Sequence, residues 1–133
     1  MINTLKILIA DDHEIVRKRL KQILLEGFPL AVIEEVEDAR ALLEEALRGD
    51  YDIIISDLSM PGGGGIEALK HIRLSLPEMP VLIISIYSQE QYGRHVFNAG
   101  AAGFLNKDAL NEELVSTVKG ILSGTQYIPL MEI

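Results

Sequence analysis

The 133-residue chain contains no cysteine, which removes disulfides and thiolate metal sites at once. It also has no apolar run near the ~20 residues that a membrane-spanning helix needs. Residues 1–10 have neither the basic region nor the long apolar core and cleavage site of a secretory signal. These absences point to a cytoplasmic protein with no membrane partner. Positive charge is scarce too: 12 Lys and Arg against 20 Asp and Glu leave a net charge of −8. So acidic a surface opposes the phosphate backbone, so this segment is not expected to touch nucleic acid itself.

What the chain does have is apolar residues, 48% of the total. At this length they suffice for one compact domain that buries roughly two-thirds of its unfolded surface. The chain is organised around residues 51–65, YDIIISDLSMPGGGG. Ile53, Ile54 and Ile55 form a β-branched run, the mark of a strand buried on both faces. Pro61 and the glycines stop regular structure, which leaves Asp57 at the strand's C-terminal mouth, where open α/β sheets place their ligands.

Four more strands are expected at 5–10, 31–36, 81–84 ending at Ser85, and 101–106, with Lys107 just after the last. Helices alternate with them. Asp12 is the expected cap of the first, which carries Val16, Leu20, Ile23 and Leu24. Asp38 opens the second, with Ala39, Leu42, Leu43, Ala46 and Leu47 on one face. The third carries Ile66, Leu69 and Ile72. The fourth begins at a capping box from Ser88 to Gln91 and holds only Tyr92, Val96 and Ala99, with Gly93 in its second turn, so it should be lightly held. Asp108 is the expected cap of the fifth, with Leu110, Leu114, Val118, Ile121 and Leu122 on its buried side. Strict βα alternation calls for a parallel sheet with helices on both faces. A polar second strand and apolar strands 1, 3 and 4 fit the flavodoxin-like order 2-1-3-4-5.

That order brings Asp11, Asp12, Asp57, Ser85 and Lys107 to one edge of the sheet. Three converging carboxylates repel one another unless a cation intervenes, and an all-oxygen set suits Mg²⁺. Lys107 can pair with Asp57 at rest and with phosphate oxygens later, and Ser85 can donate to the same oxygens. An ionised Asp so supported is equipped to attack phosphorus. Each residue has a plainer reading alone, as a cap, a turn hydroxyl or a solvated charge; their joint placement does not. His13, His71 and His95 share no metal-ligand spacing, and His13, although it borders the acidic pair, is read as a bystander.

Over nearly its whole length the chain resembles the receiver domain of a bacterial two-component response regulator. The matching pieces are Asp11-Asp12, DLSMPGGGG with Asp57, Ser85, and Lys107 after Phe104. ADDHEIVRKRL, MPGGGGIEALKHIR and the SIY…AGAAGFLNKD series are similar to the NarL/FixJ subfamily, whose output is a LuxR-type helix-turn-helix. The resemblance implies that Asp57 accepts a phosphoryl group from the phosphohistidine of a sensor histidine kinase. It implies that Asp11, Asp12, Asp57 and the Ser59 backbone carbonyl hold Mg²⁺, and that Ser85 and Phe104 form a switch pair in which Phe104 turns inward. The chain would then be a regulator that catalyses only its own phosphorylation and dephosphorylation, and a homodimer when phosphorylated. DNA would be contacted only through a C-terminal domain that this chain lacks.

Residues 1–124 are the expected receiver and 125–133 the start of a linker or a tail. Part of a longer chain is favoured over a naturally single-domain regulator acting by protein contact. Ser85 stands where Thr is commoner, Phe104 where Tyr is frequent, and Ile86 is bulkier than usual in the family, which should restrict approach to Asp57. A dehalogenase-type phosphatase needs a second Asp at position 59, which is Ser59, and a cap domain for which 133 residues leave no room. A flavin-binding module of the same fold would need a Ser/Thr-rich phosphate loop after strand 1, which is missing.

Overall fold

The computed structural model describes residues 4–62, 64–87 and 89–124. Ser88, which was to start the capping box, lies outside them, as do Gly63 and the tail from 125 on. The described chain alternates β1 (Lys6–Ala10), α1 (Glu14–Gly27), β2 (Val32–Val36), α2 (Ala39–Arg48), β3 (Ile53–Asp57), α3 (Gly64–Ser75), β4 (Val81–Ser85), α4 (Gln89–Asn98), β5 (Gly103–Asn106) and α5 (Leu110–Leu122). The five strands are parallel in the order 2-1-3-4-5, the expected flavodoxin-like arrangement.

Side chains alternate across each strand, so the sheet feeds two cores. Leu8, Ile54, Ile83 and Phe104 meet α2, α3 and α4 through Leu42, Ala46, Leu69, Ile72 and Val96. Ile7, Ile9, Ile53, Ile55, Leu82 and Ile84 meet α1 and α5 through Leu20, Leu24, Leu114 and Val118. β3 and β4 are buried at every position, whereas β2 is the edge strand, with Glu34 and Glu35 exposed. Among its described apolar side chains α4 buries only Val96 fully, with Tyr92 half-buried, which is the light anchoring expected; Ala99, expected on this helix, lies just past its end.

Several local expectations need correction. α1 is entered through His13 with no side-chain cap, because the Asp12 carboxylate faces the His13 ring, 3.2 Å away. Before α5 the chain makes a 3-10 turn, Lys107–Ala109, and its cap is Asn106, whose Oδ1 accepts from the Asp108 N–H at 2.8 Å. Asp108 therefore caps nothing; α5 starts after Ala109 without a side-chain cap. β5 is shorter than expected, since Ala101 precedes the ladder. Leu47 and Leu122 are 54% and 39% exposed. Each lies one residue past a buried position, about 100° further round the helix and off the core stripe, and Thr117 takes the remaining buried place on α5.

Close approach of α3 to the end of β3 depends on Gly65. Its N–H donates to the Leu58 carbonyl at 2.9 Å. A Cβ there would overlap the Asp57 carbonyl oxygen and come within 2.9 Å of that of Leu58. Both obstacles are backbone and cannot rotate away. Gly65→Ala should therefore cost about 2 kcal/mol or more in urea unfolding, and a loss under ~0.5 kcal/mol would mean that the helix can shift freely.

Candidate functional site

The strand ends bring the predicted residues together. Asp11 follows β1 and is wholly buried, while Asp57 closes β3 at 5% exposure. Lys107, just after β5, reaches between them, its Nζ 2.9 Å from Asp11 Oδ2 and 3.3 Å from Asp57 Oδ1. Asp12 is exposed at the rim. Burial, and next the charge of Asp11, push the Asp57 carboxyl above the ordinary aspartate value, against smaller opposing effects of Lys107 and the Ser59 backbone N–H. Burial alone would lower Lys107, but the two carboxylates outweigh it and hold its pKa above the usual lysine value.

Ser85, at 1% exposure, ends β4; its Oγ accepts from the Tyr87 N–H at 2.9 Å. Register pairs Asp57 with Ile84, so Ser85 lies one step beyond it on the neighbouring strand. Phe104, opposite Ile83 on β5, is already inside the core at 3% exposure. Ile86 stands 71% exposed beyond Ser85.

Three contributors escaped sequence reasoning. His13 was set aside, yet its Nδ1 lies 3.3 Å from Asp11 Oδ1 and 3.2 Å from Asp12 Oδ1. Together with Asp11, Asp12 and Asp57 it forms a group whose potential ligand atoms all lie within 4.8 Å of one another. Arg17 donates to the Asp11 carbonyl at 2.7 Å and to Glu35 at 3.0 Å, fixing the loop after β1. Asn106 donates through Nδ2 to the Tyr87 carbonyl at 3.3 Å, joining the loop after β4 to the strand that ends at Lys107. The DDH triplet could have signalled the first; nothing in the pattern marks the other two. His71 and His95 are surface residues, as expected.

Comparison with known proteins places this geometry. Residues 7–119 match the family model of the response regulator receiver domain. The response regulator UvrY of Escherichia coli K12 is 33% identical over 128 residues, 96% of this chain and 57% of UvrY. The oxygen regulatory protein NreC of Staphylococcus carnosus is 36% identical over 125 residues, 93% of this chain and 58% of NreC. This chain thus spans little more than half the length of these relatives. Among solved structures, a LuxR-family two-component response regulator from Aurantimonas sp. SI85-9A1 superposes with a TM-score of 0.87 at 35% identity, covering 95% of this chain and 90% of that one. The non-phosphorylated receiver domain of Escherichia coli RcsB gives 0.86 at 27% identity, covering 96% and 100%. The chain belongs to the response regulator receiver family, and its relatives are regulators of the NarL/LuxR family.

Proposed function

We propose that the chain is a phosphorylation-dependent switch of a two-component system, in which Asp57 takes the phosphoryl group from a sensor kinase phosphohistidine. The observation that carries this reading is a buried carboxylate at the mouth of β3, flanked by a second buried carboxylate and by a lysine that touches both. An Asp57 oxygen attacks phosphorus, the P–N bond breaks, and its electron pair leaves with the imidazole. Lys107 then has the new phosphoryl oxygens to pair with. Ser85 Oγ is engaged as an acceptor, and a hydroxyl that accepts keeps its proton to donate to the same oxygens.

The donor set fits Mg²⁺. Asp11 and Asp57 are buried carboxylates with Lys107 as their nearest cation, 2.9 and 3.3 Å away, and a metal ion would be held by Asp11, Asp12, Asp57 and the Ser59 carbonyl. When bound, Mg²⁺ supplies charge neutralisation at the phosphoryl oxygens. Residues 85–107, with Ser85, the lightly held α4 and Phe104, are the two-state element that phosphorylation biases. Phe104 already points inward, so its side chain need not swing in. The output would be a changed homodimer contact or a released helix-turn-helix domain joined through 125–133. RcsB offers a parallel, as its dimers have been seen bound to DNA.

Acetyl phosphate with Mg²⁺ should raise the intact mass by one phosphoryl group, and beryllofluoride should change hydrogen exchange most across residues 85–107. Ser85→Ala should keep the mass gain and lose much of the exchange response. No mass gain would refute the phosphoacceptor reading; a mass gain with flat exchange would refute the switch.

A further inference from the structure

Asn106 ends β5 and makes two hydrogen bonds with one side chain. Its Oδ1 accepts from the Asp108 N–H at 2.8 Å, capping the 3-10 turn that begins with Lys107. Its Nδ2 donates to the Tyr87 carbonyl at 3.3 Å, in the loop after β4. Register pairs Asn106 with Ser85, and Ser85 Oγ accepts from the N–H of the same Tyr87 at 2.9 Å. Both backbone groups of Tyr87 are therefore held, one from each of two neighbouring strand ends. Its ring adds a further contact, centred 5.2 Å from that of Tyr92 on α4 and inclined to it by 52°. A carboxamide suits this place, because it offers an acceptor and a donor at once without bringing a charge.

The two groups that phosphoryl oxygens on Asp57 would meet, the Ser85 hydroxyl and the Lys107 ammonium, belong to different strand ends. Lys107 is oriented by Asp11 and Asp57, whereas Ser85 Oγ is oriented by its own loop. The Asn106 side chain bridges that loop and the turn carrying Lys107. We infer that Asn106 is a positioning residue, whose carboxamide clamps Tyr87 to the Lys107 turn and so presents Ser85 and Lys107 together. This rests on reading Asp57 as the phosphoacceptor. Donors fixed before the anion forms need no reorganisation when it arrives, and Asn106 contributes by fixing two of them.

The full chain is compared with Asn106→Ser and Asn106→Ala. Serine keeps an oxygen able to accept from the Asp108 N–H, adds no charge and is too short to reach Tyr87. Without any phosphoryl mimic, amide exchange at Tyr87 should quicken roughly threefold to tenfold in both variants, the effect of one lost hydrogen bond. At Asp108 it should quicken only in the alanine variant. Affinity for beryllofluoride in the presence of Mg²⁺, followed by NMR, should fall by a similar factor in both, while the serine variant melts close to the parent. Unchanged Tyr87 exchange in the serine variant would overturn the clamp. So would an affinity that falls only in the alanine variant, because the cap alone would then matter. Affinity equal to the parent's or tighter in both variants would remove this inference and leave the phosphoacceptor reading standing. A parent chain that binds no beryllofluoride would remove that reading, and this one with it.

Discussion

Asp57→Asn should accept no phosphoryl group from acetyl phosphate and should still unfold at a higher temperature than the parent chain. The first effect removes the nucleophile; an amide oxygen carries no charge with which to attack phosphorus. The second follows from electrostatics. Burial and the neighbouring Asp11 hold Asp57 above the ordinary aspartate value. The folded chain therefore binds that proton more tightly than the unfolded chain. Below the ordinary value both states are protonated and nothing is lost. As pH rises from there through the raised folded value, the parent loses stability, because ionising Asp57 costs more in the folded state. Asparagine does not titrate, so the variant's advantage should be near zero at the acid end of that window and complete at neutral pH. Each 1 kcal/mol of that advantage would read as about 4 °C in a domain of this length. Intact mass and thermal unfolding across pH check both parts. A mass gain in the variant, or a lower melting temperature at neutral pH, would contradict the assignment.

Lys107→Met should have the opposite effect on stability, and a larger one. The ammonium is the positive group that meets Asp11 Oδ2 and Asp57 Oδ1 at 2.9 and 3.3 Å, with those side chains 0% and 7% exposed. Methionine keeps much of the volume and removes the charge, leaving two buried carboxylates facing each other. Breaking a buried pair in this way costs about 3–5 kcal/mol, a large share of the stability of a typical domain. The loss should be full at neutral pH without divalent ions and should shrink in acid, where Asp57, already held above the ordinary aspartate value, takes up a proton. Millimolar Mg²⁺ should return part of it, since a cation replaces a cation. Urea titrations at pH 7 with and without Mg²⁺, and again near pH 4.5, test this. A loss independent of both pH and Mg²⁺ would make Lys107 a packing residue and not a counter-charge.

Much of this site was readable from the chain because position on a parallel sheet is set by coarse features. The triple isoleucine of β3 and the glutamates of β2 assign centre and edge, and the strand ends then gather Asp11, Asp57, Ser85 and Lys107 without further information. Side-chain direction is a finer property. Asp12 and Asp108 are both cap-competent and both precede helices, yet His13 draws off the first and Asn106 occupies the role of the second. His13, Arg17 and Asn106 act through ring or amide orientation across loops, and no periodicity records that. Likewise Leu47 and Leu122 sit at the margin of an apolar stripe, where one residue of rotation decides between core and solvent.

The exposed glutamates of β2 also bear on self-association. As the first strand in the order, β2 pairs only with β1 among the described residues, and its other side is a template onto which another chain could add a strand. Glu34 and Glu35 place charged side chains where two such edges would meet. Arg17 and Lys21 hold the Glu35 carboxylate at 3.0 and 3.3 Å, and despite its partial burial they keep it below the ordinary glutamate value. Glu35 therefore keeps its ion pairs with Arg17 and Lys21 into mildly acidic solution, and an edge strand that stays charged is a poor template for edge-to-edge pairing.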